Sequence, residues 1–334
     1  MKRDAFWDSL KFILIFFVIY GHMIETYATD YSFNRAMYNF IYAFHMPFFM
    51  YVSGLFSQIK DRTKYRHGFL VILETYLVFQ LIRSIKSILL EESFTINNML
   101  YPKGTLWYLA YLVVYRLFIY IMPRNSLDRH PITIIILSLI LGIIWGFIPT
   151  SNFEKIITFF PYFLIGYYSA RINIKNYIKK IPLSVSLIGI MAIFIIIFYY
   201  INYYIGYIIY YETSYYITDR IITPEFLCLS RIIAYFSAVI ISIFVMRIFV
   251  FINVFPEYGS KTLFIYMYHT FIVLALRSLI NKGYLPQNEL LLLFYSIVTL
   301  WGLILLSRIA FFSFLMNPIS NIQNYIKQHS DINK

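Results

Sequence analysis

Residues 8–25 read DSLKFILIFFVIYGHMIE, and this stretch decides the fold. Ten residues without a charge separate Lys11 from His22. A hydrocarbon core needs about 20 apolar residues as a helix, and this segment with its flanks supplies them. Four ionisable side chains nevertheless sit on it. At about 100° per residue, Lys11 and His22 differ by about 20° and share a helix face, with Asp8 and Glu25 within about 60° of His22. The rise per residue separates Lys11 and His22 by about 16 Å along the axis. An ionisable group in hydrocarbon costs at least about 2.5–3.5 kcal/mol, so such a stripe faces a cavity or charged partners rather than lipid.

The rest of the chain repeats the apolar pattern. Of 334 residues, 60% are hydrophobic and 13% are charged, against about 25% charged in soluble domains. That balance excludes a soluble globule, and the 21% aromatic content excludes disorder. Hydropathy predicts an all-α, polytopic integral membrane helix bundle of about ten transmembrane helices, forming a single domain over residues 1–334. The segments run approximately 9–28, 38–57, 69–90, 105–122, 132–149, 154–170, 183–204, 225–250, 262–281 and 289–315. The first one holds Asp8, Lys11 and His22 and lacks a small-residue cleavage site, so it is expected to be retained. The connection at about 205–224 is rich in Tyr, which suits a membrane interface better than a sugar-stacking role.

Placing both termini in the cytoplasm puts 16 Lys and Arg residues on inner connections and 5 on outer ones, the expected positive-inside bias. The net charge of +12 then divides into +11 inside, −3 outside and +4 within the membrane segments. A nucleic-acid partner is unnecessary. A single Cys228 excludes a disulfide framework and a Cys-based metal site. The intramembrane bases are Lys11, Arg83, Lys86, Arg116, Arg231, Arg277 and Arg308, against the acids Asp8, Glu25 and Glu74. Lys86 and Arg277 can reach the outer interface and Asp8 the inner one; the remaining excess predicts a cavity that receives an anion. Helix 2 carries His45 and Pro47 at about the depth of His22. Two histidines are too few to define a metal site, and no metal is expected.

The segment from Asp8 through Lys11 to His22 and Glu25 resembles the first helix of the acyltransferase-3 family of membrane acyltransferases, closest to its fucose 4-O-acetylase-like branch. That family carries an Arg, ten residues and a His; here Lys11 takes the Arg position, without the planar fork. Met46-Pro47-Phe48-Phe49-Met50-Tyr51-Val52-Ser53-Gly54 is similar to the family's second-helix signature. Leu106-Trp107-Tyr108-Leu109 with Arg116 downstream is similar to its fourth-helix segment. Gly259-Ser260-Lys261-Thr262-Leu263, leading to His269, is similar to its late motif.

The resemblance implies acyl transfer, usually of acetyl from acetyl-CoA, to a sugar hydroxyl of a cell-surface or capsular polysaccharide or its precursor. It places the chain in a bacterial cytoplasmic membrane, with the bilayer as a partner and the oligomeric state open. Such a transfer needs a base and oxyanion stabilisation. His22 is the candidate base or acyl carrier, with Glu25 orienting it and His45 assisting. Lys11 and Arg116 are candidates for the donor. Arg83, Arg231, Trp107 and His269 are candidates for the acceptor, and Glu74 is one possible structural partner of Arg83 or Arg231. The alternative is a transporter or flippase for a lipid-linked glycan, against which the lack of an evident internal repeat speaks. A structural subunit of a polysaccharide-export complex is a third reading.

Overall fold

The computed structural model describes residues 4–28, 32–89, 101–102, 104–145, 154–201 and 224–323. Among these residues there are helices and turns but no strand. Each of the ten apolar segments contains a long helix. They are α1 (Ala5–Ile24), α2 (Phe33–Leu55), α3 (Arg62–Leu89), α4 (Trp107–Ile121), α5 (Pro131–Ile144), α6 (Glu154–Ser169), α7 (Leu183–Ile196), α8 (Pro224–Phe249), α9 (Thr262–Asn281) and α10 (Glu289–Leu306). Six helices are long and apolar enough to cross a membrane, at Ala5–Tyr27, Arg62–Ser87, Gly104–Ile121, Cys228–Phe249, Pro256–Asn281 and Glu289–Leu306. The chain is a multi-pass membrane protein. The Tyr-rich connection lies outside the described residues up to Pro224, as do Lys2, Arg3, Lys103, Arg220, Lys327 and Lys334.

Three boundaries differ from the hydropathy reading, each for a local reason. α2 starts at Phe33 because the Ser32 hydroxyl accepts from the Arg35 amide at 3.1 Å, capping the helix ahead of its apolar part. α3 starts at Arg62, where the Asp61 carboxylate accepts from the Thr63 and Lys64 amides at 2.9 and 3.1 Å. Its first two turns are basic, so an apolar window does not see them. The tenth segment is two helices, α10 and Ala310–Met316, broken at Ser307–Ile309.

α1 is the axis of the bundle. It packs on α2, α9, α10 and the 3-10 turn Pro256–Lys261, and 67% of its most apolar window is buried against 22% for α3. α3, α5 and α7 instead turn Leu77, Leu81, Ile136, Leu141, Ile188 and Met191 outward. In lipid that exposure carries no hydrophobic cost. α2 runs unbroken through Pro47 and is pressed against α6. A Cβ on Gly54 would lie 1.9 Å from the Phe163 carbonyl oxygen, and one on Gly166 would lie 1.9 Å from that of Tyr51. The two backbones touch, which only paired glycines permit.

Two intramembrane charges have structural employment. Glu74 on α3 accepts from the Ile319 and Ser320 amides at 2.5 and 3.2 Å and from the Ser320 hydroxyl at 2.5 Å. Its partner is thus the backbone of the C-terminal segment, not Arg83 or Arg231. Arg231 on α8 is 4% exposed and donates to the Gly142 carbonyl at 3.3 Å and the Thr158 hydroxyl at 2.8 Å. It ties α8 to α5 and α6 and does not line the cavity that Arg83 and Trp107 line.

Candidate active site

Each end of α1 carries an acid–base pair three residues apart, because positions i and i+3 lie on one helix face. At the N-terminal end, Lys11 Nζ meets Asp8 Oδ1 at 2.6 Å and lies 5.3 Å from the centre of the Phe56 ring. Lys11 lines a cavity of about 240 Å³ shared with Arg116, Ser53, Tyr108 and Tyr266. Arg116 also lines a wider cavity of about 710 Å³ at the same end, with Lys60, Lys64, Arg171 and Lys175. Lys175 is paired with Asp4 and Arg171 with Asp128. The wide, basic cavity and the narrow, mostly apolar one meet at Phe56 and Arg116, which line both.

At the other end, α1 gives way to a 3-10 turn, Glu25–Tyr27. His22 Nδ1 stands 3.4 Å from Glu25 Oε2 and 3.1 Å from the Tyr42 hydroxyl of α2. Arg277 of α9 donates through Nη2 to the same Glu25 oxygen at 2.9 Å. The carboxylate is therefore held between an imidazole and a guanidinium from two helices. This fixes the imidazole ring and leaves Nε2 for a reacting group. The His269 ring stacks on that of His22, centroids 5.4 Å apart and planes inclined by 29°.

The two buried histidines have defined tautomers. Nδ1 of His45 donates to the Ile41 carbonyl at 2.7 Å, and Nδ1 of His269 donates to the Tyr266 carbonyl at 2.7 Å. In the neutral ring the other nitrogen is then an acceptor. His269 is 0% exposed, and its Nε2 meets no hydrogen-bond partner. A buried acceptor without a donor costs about 1–3 kcal/mol, and His269 does not line the cavity that His22 lines. The same tautomer makes His45 an acceptor rather than a donor. It lies 2% exposed behind Tyr42, ring centroids 4.9 Å apart, so it reaches His22 only through that tyrosine.

His22, Glu25, Tyr42 and Arg277 line a third cavity of about 520 Å³ together with Arg83 and Trp107. The structure thus brings His22, Glu25, Arg83, Trp107 and His269 to one end and Lys11 with Arg116 to the other. Between the ends stand Tyr108 and Tyr266, ring centroids 5.1 Å apart. The Tyr108 hydroxyl meets Ser53 Oγ at 2.6 Å, and Tyr266 donates to the Thr105 carbonyl at 2.5 Å. Thr105 lines the His22 cavity, so this wall separates it from the Lys11 cavity. Sequence reasoning missed Arg277, read as an interfacial anchor, and Tyr42. Neither has a local signal: Arg277 lies 252 residues from Glu25 and Tyr42 twenty from His22.

An imidazole at one end of a membrane-spanning helix, held by a carboxylate at the wall of a cavity, with further cavities at the helix's other end, is the equipment of a group-transfer enzyme. The acyltransferase-3 family model, an acyltransferase domain, matches residues 4–308, and the chain belongs to that family. No curated protein and no solved structure matches it. The chain is therefore a membrane acyltransferase, with every candidate site residue inside the matched span.

Proposed function

We propose that the chain is an O-acetyltransferase of a bacterial cytoplasmic membrane, crossing it about ten times with both termini inside. It moves acetyl from cytoplasmic acetyl-CoA to a hydroxyl of a cell-surface or capsular glycan, as the fucose 4-O-acetylase-like branch is named for. The observation that carries the reading is His22 at the wall of the third cavity, held by Glu25, which Arg277 holds in turn.

The residues at the N-terminal end fit the donor. Lys60, Lys64 and Arg116 supply cations for phosphates at the wide cavity. The narrow cavity suits a pantetheine arm, with Lys11 and Arg116 at its side. The roughly 16 Å between Lys11 and His22 is comparable to the length of that arm. At the other end, the acceptor hydroxyl enters the cavity lined by His22, Glu25, Arg277 and Trp107, with the buried His269 ring packed against His22. His22 Nε2 removes the hydroxyl proton as the oxygen attacks the thioester carbonyl. The new C–O bond forms, the C–S bond breaks, and the His22 imidazolium returns the proton to the leaving thiolate. Glu25 stabilises that imidazolium. An acetyl-His22 intermediate uses the same groups in two steps.

The test is His22→Ala in membranes with confirmed expression, supplied with labelled acetyl-CoA and host glycan. Loss of about 10³-fold or more in transfer is expected for a missing base. Retained transfer removes His22 from the chemistry.

A further inference from the structure

Tyr108 of α4 and Tyr266 of α9 line the narrow cavity, and neither lines the cavity of His22. Each ring is latched to a different element. The Tyr108 hydroxyl meets Ser53 Oγ of α2 at 2.6 Å, and Tyr266 donates to the Thr105 carbonyl at 2.5 Å. Thr105 is fixed in turn by Arg83 of α3, whose Nη2 donates to the Thr105 and Thr270 hydroxyls at 3.0 and 2.7 Å. Gly104 lets this turn approach: its φ is +54, and a Cβ there would lie 2.5 Å from Arg83 Nη1. Helices α2, α3, α4 and α9 and the 104–105 turn thus meet at the partition.

Packing limits how far either ring can move. Beside Tyr108 lie the Phe49 and Trp107 rings, centroids 5.9 and 6.3 Å away, and beside Tyr266 lies His269 at 5.6 Å. Tyr108 and Tyr266 are both buried. An interior packed this densely opens by small side-chain displacements, and a wider opening forces several rings to repack. One neutral hydrogen bond on each ring is weak enough to break in each turnover. With its latches undone, the partition passes a slim group and resists a bulky one.

We infer that Tyr108 and Tyr266 form a gate that sets the size of the acyl group transferred, passing acetyl between the narrow cavity and His22 and turning back longer or branched chains. This rests on the acyl-transfer reading and adds the residues that determine its donor specificity. A donor threaded along the narrow cavity from the Lys11 end presents its acyl carbonyl to His22 only past these two rings. The cavity itself does not set the limit. Its volume is about 240 Å³, and Phe49, Val52, Leu109 and Leu112 make its wall apolar enough for a longer chain.

The experiment supplies the purified protein in lipid vesicles with host glycan and a ladder of donors, acetyl-, propionyl-, butyryl- and hexanoyl-CoA, and reads kcat/KM for each. The wild type is expected to lose about tenfold for each methylene added up to butyryl, the scale of a methylene that does not fit, and to give no measurable transfer from hexanoyl-CoA. Equal values along the ladder overturn the inference and leave the acyl-transfer reading standing; no transfer from any donor overturns both. Variants are read as the ratio of butyryl to acetyl transfer, which does not depend on how much protein folds. Tyr108→Ala is expected to raise that ratio about a hundredfold. Ser53→Ala and Tyr266→Phe, which release a latch and keep both rings, are expected to raise it about three- to tenfold. Phe56→Ala, which widens the cavity where it meets the wide one, is expected to leave the ratio unchanged. A ratio unmoved in Ser53→Ala and Tyr266→Phe, or raised in Phe56→Ala as much as in Tyr108→Ala, overturns the inference.

Discussion

The two ends of α1 start from one local design and diverge in what is added to it. Asp8–Lys11 and His22–Glu25 are both acid–base pairs at i,i+3. At the first end the acid is buried and the base faces a narrow cavity, so the pair presents a cation held in place. At the second end a guanidinium from α9 takes the acid, and a tyrosine and a second histidine close on the base. The same spacing thus yields a cation at a narrow cavity in one place and an imidazole tied to two other helices in the other. Tertiary partners, not helix periodicity, set the difference.

That comparison can be broken at defined points. Glu25→Gln is expected to cause the largest loss, about 10²-fold in kcat with the donor KM unchanged, because the imidazole loses the charge that orients it. A loss confined to KM would make the second end a binding site like the first. Arg277→Gln should lower kcat by about tenfold, the scale of a lost hydrogen bond between charged groups. Combining it with Glu25→Gln should cost no more than Glu25→Gln alone, since the arginine acts through that carboxylate. Additive losses would separate the two residues. Lys11→Ala should raise the donor KM about tenfold and spare kcat, whereas Lys11→Arg should preserve both. A kcat effect at Lys11 would erase the contrast between the ends. Tyr42→Phe is the smallest, about two- to tenfold in kcat, the worth of one neutral hydrogen bond.

Much of this was legible in the sequence, for reasons that also mark where it stopped. The hydropathy segments found the ten long helices because apolar runs set them. They misplaced the start of α3 by seven residues because Arg62–His67 form helix outside any apolar window. The pairing of His22 with Glu25 was readable because it is local. Arg277, Tyr42 and the stacking of His269 were not, since each depends on how distant helices pack. Arg231 carried the same intramembrane-cation signal as Arg83, and burial alone separates them: one bolts three helices together, the other borders a cavity. Composition cannot tell a structural cation from a receptive one.

The wall formed by Tyr108 and Tyr266 has an electrical consequence. Where cavities at opposite ends of a spanning helix are parted by such a wall, a membrane voltage would fall across the material left between them. There, a unit charge does work of about 2.3 kcal/mol per 100 mV in crossing. An uncharged acyl group would cross without such work. Two tyrosine rings and the hydrogen bonds that pin them to Ser53 and Thr105 are then the protein's insulation as well as its partition.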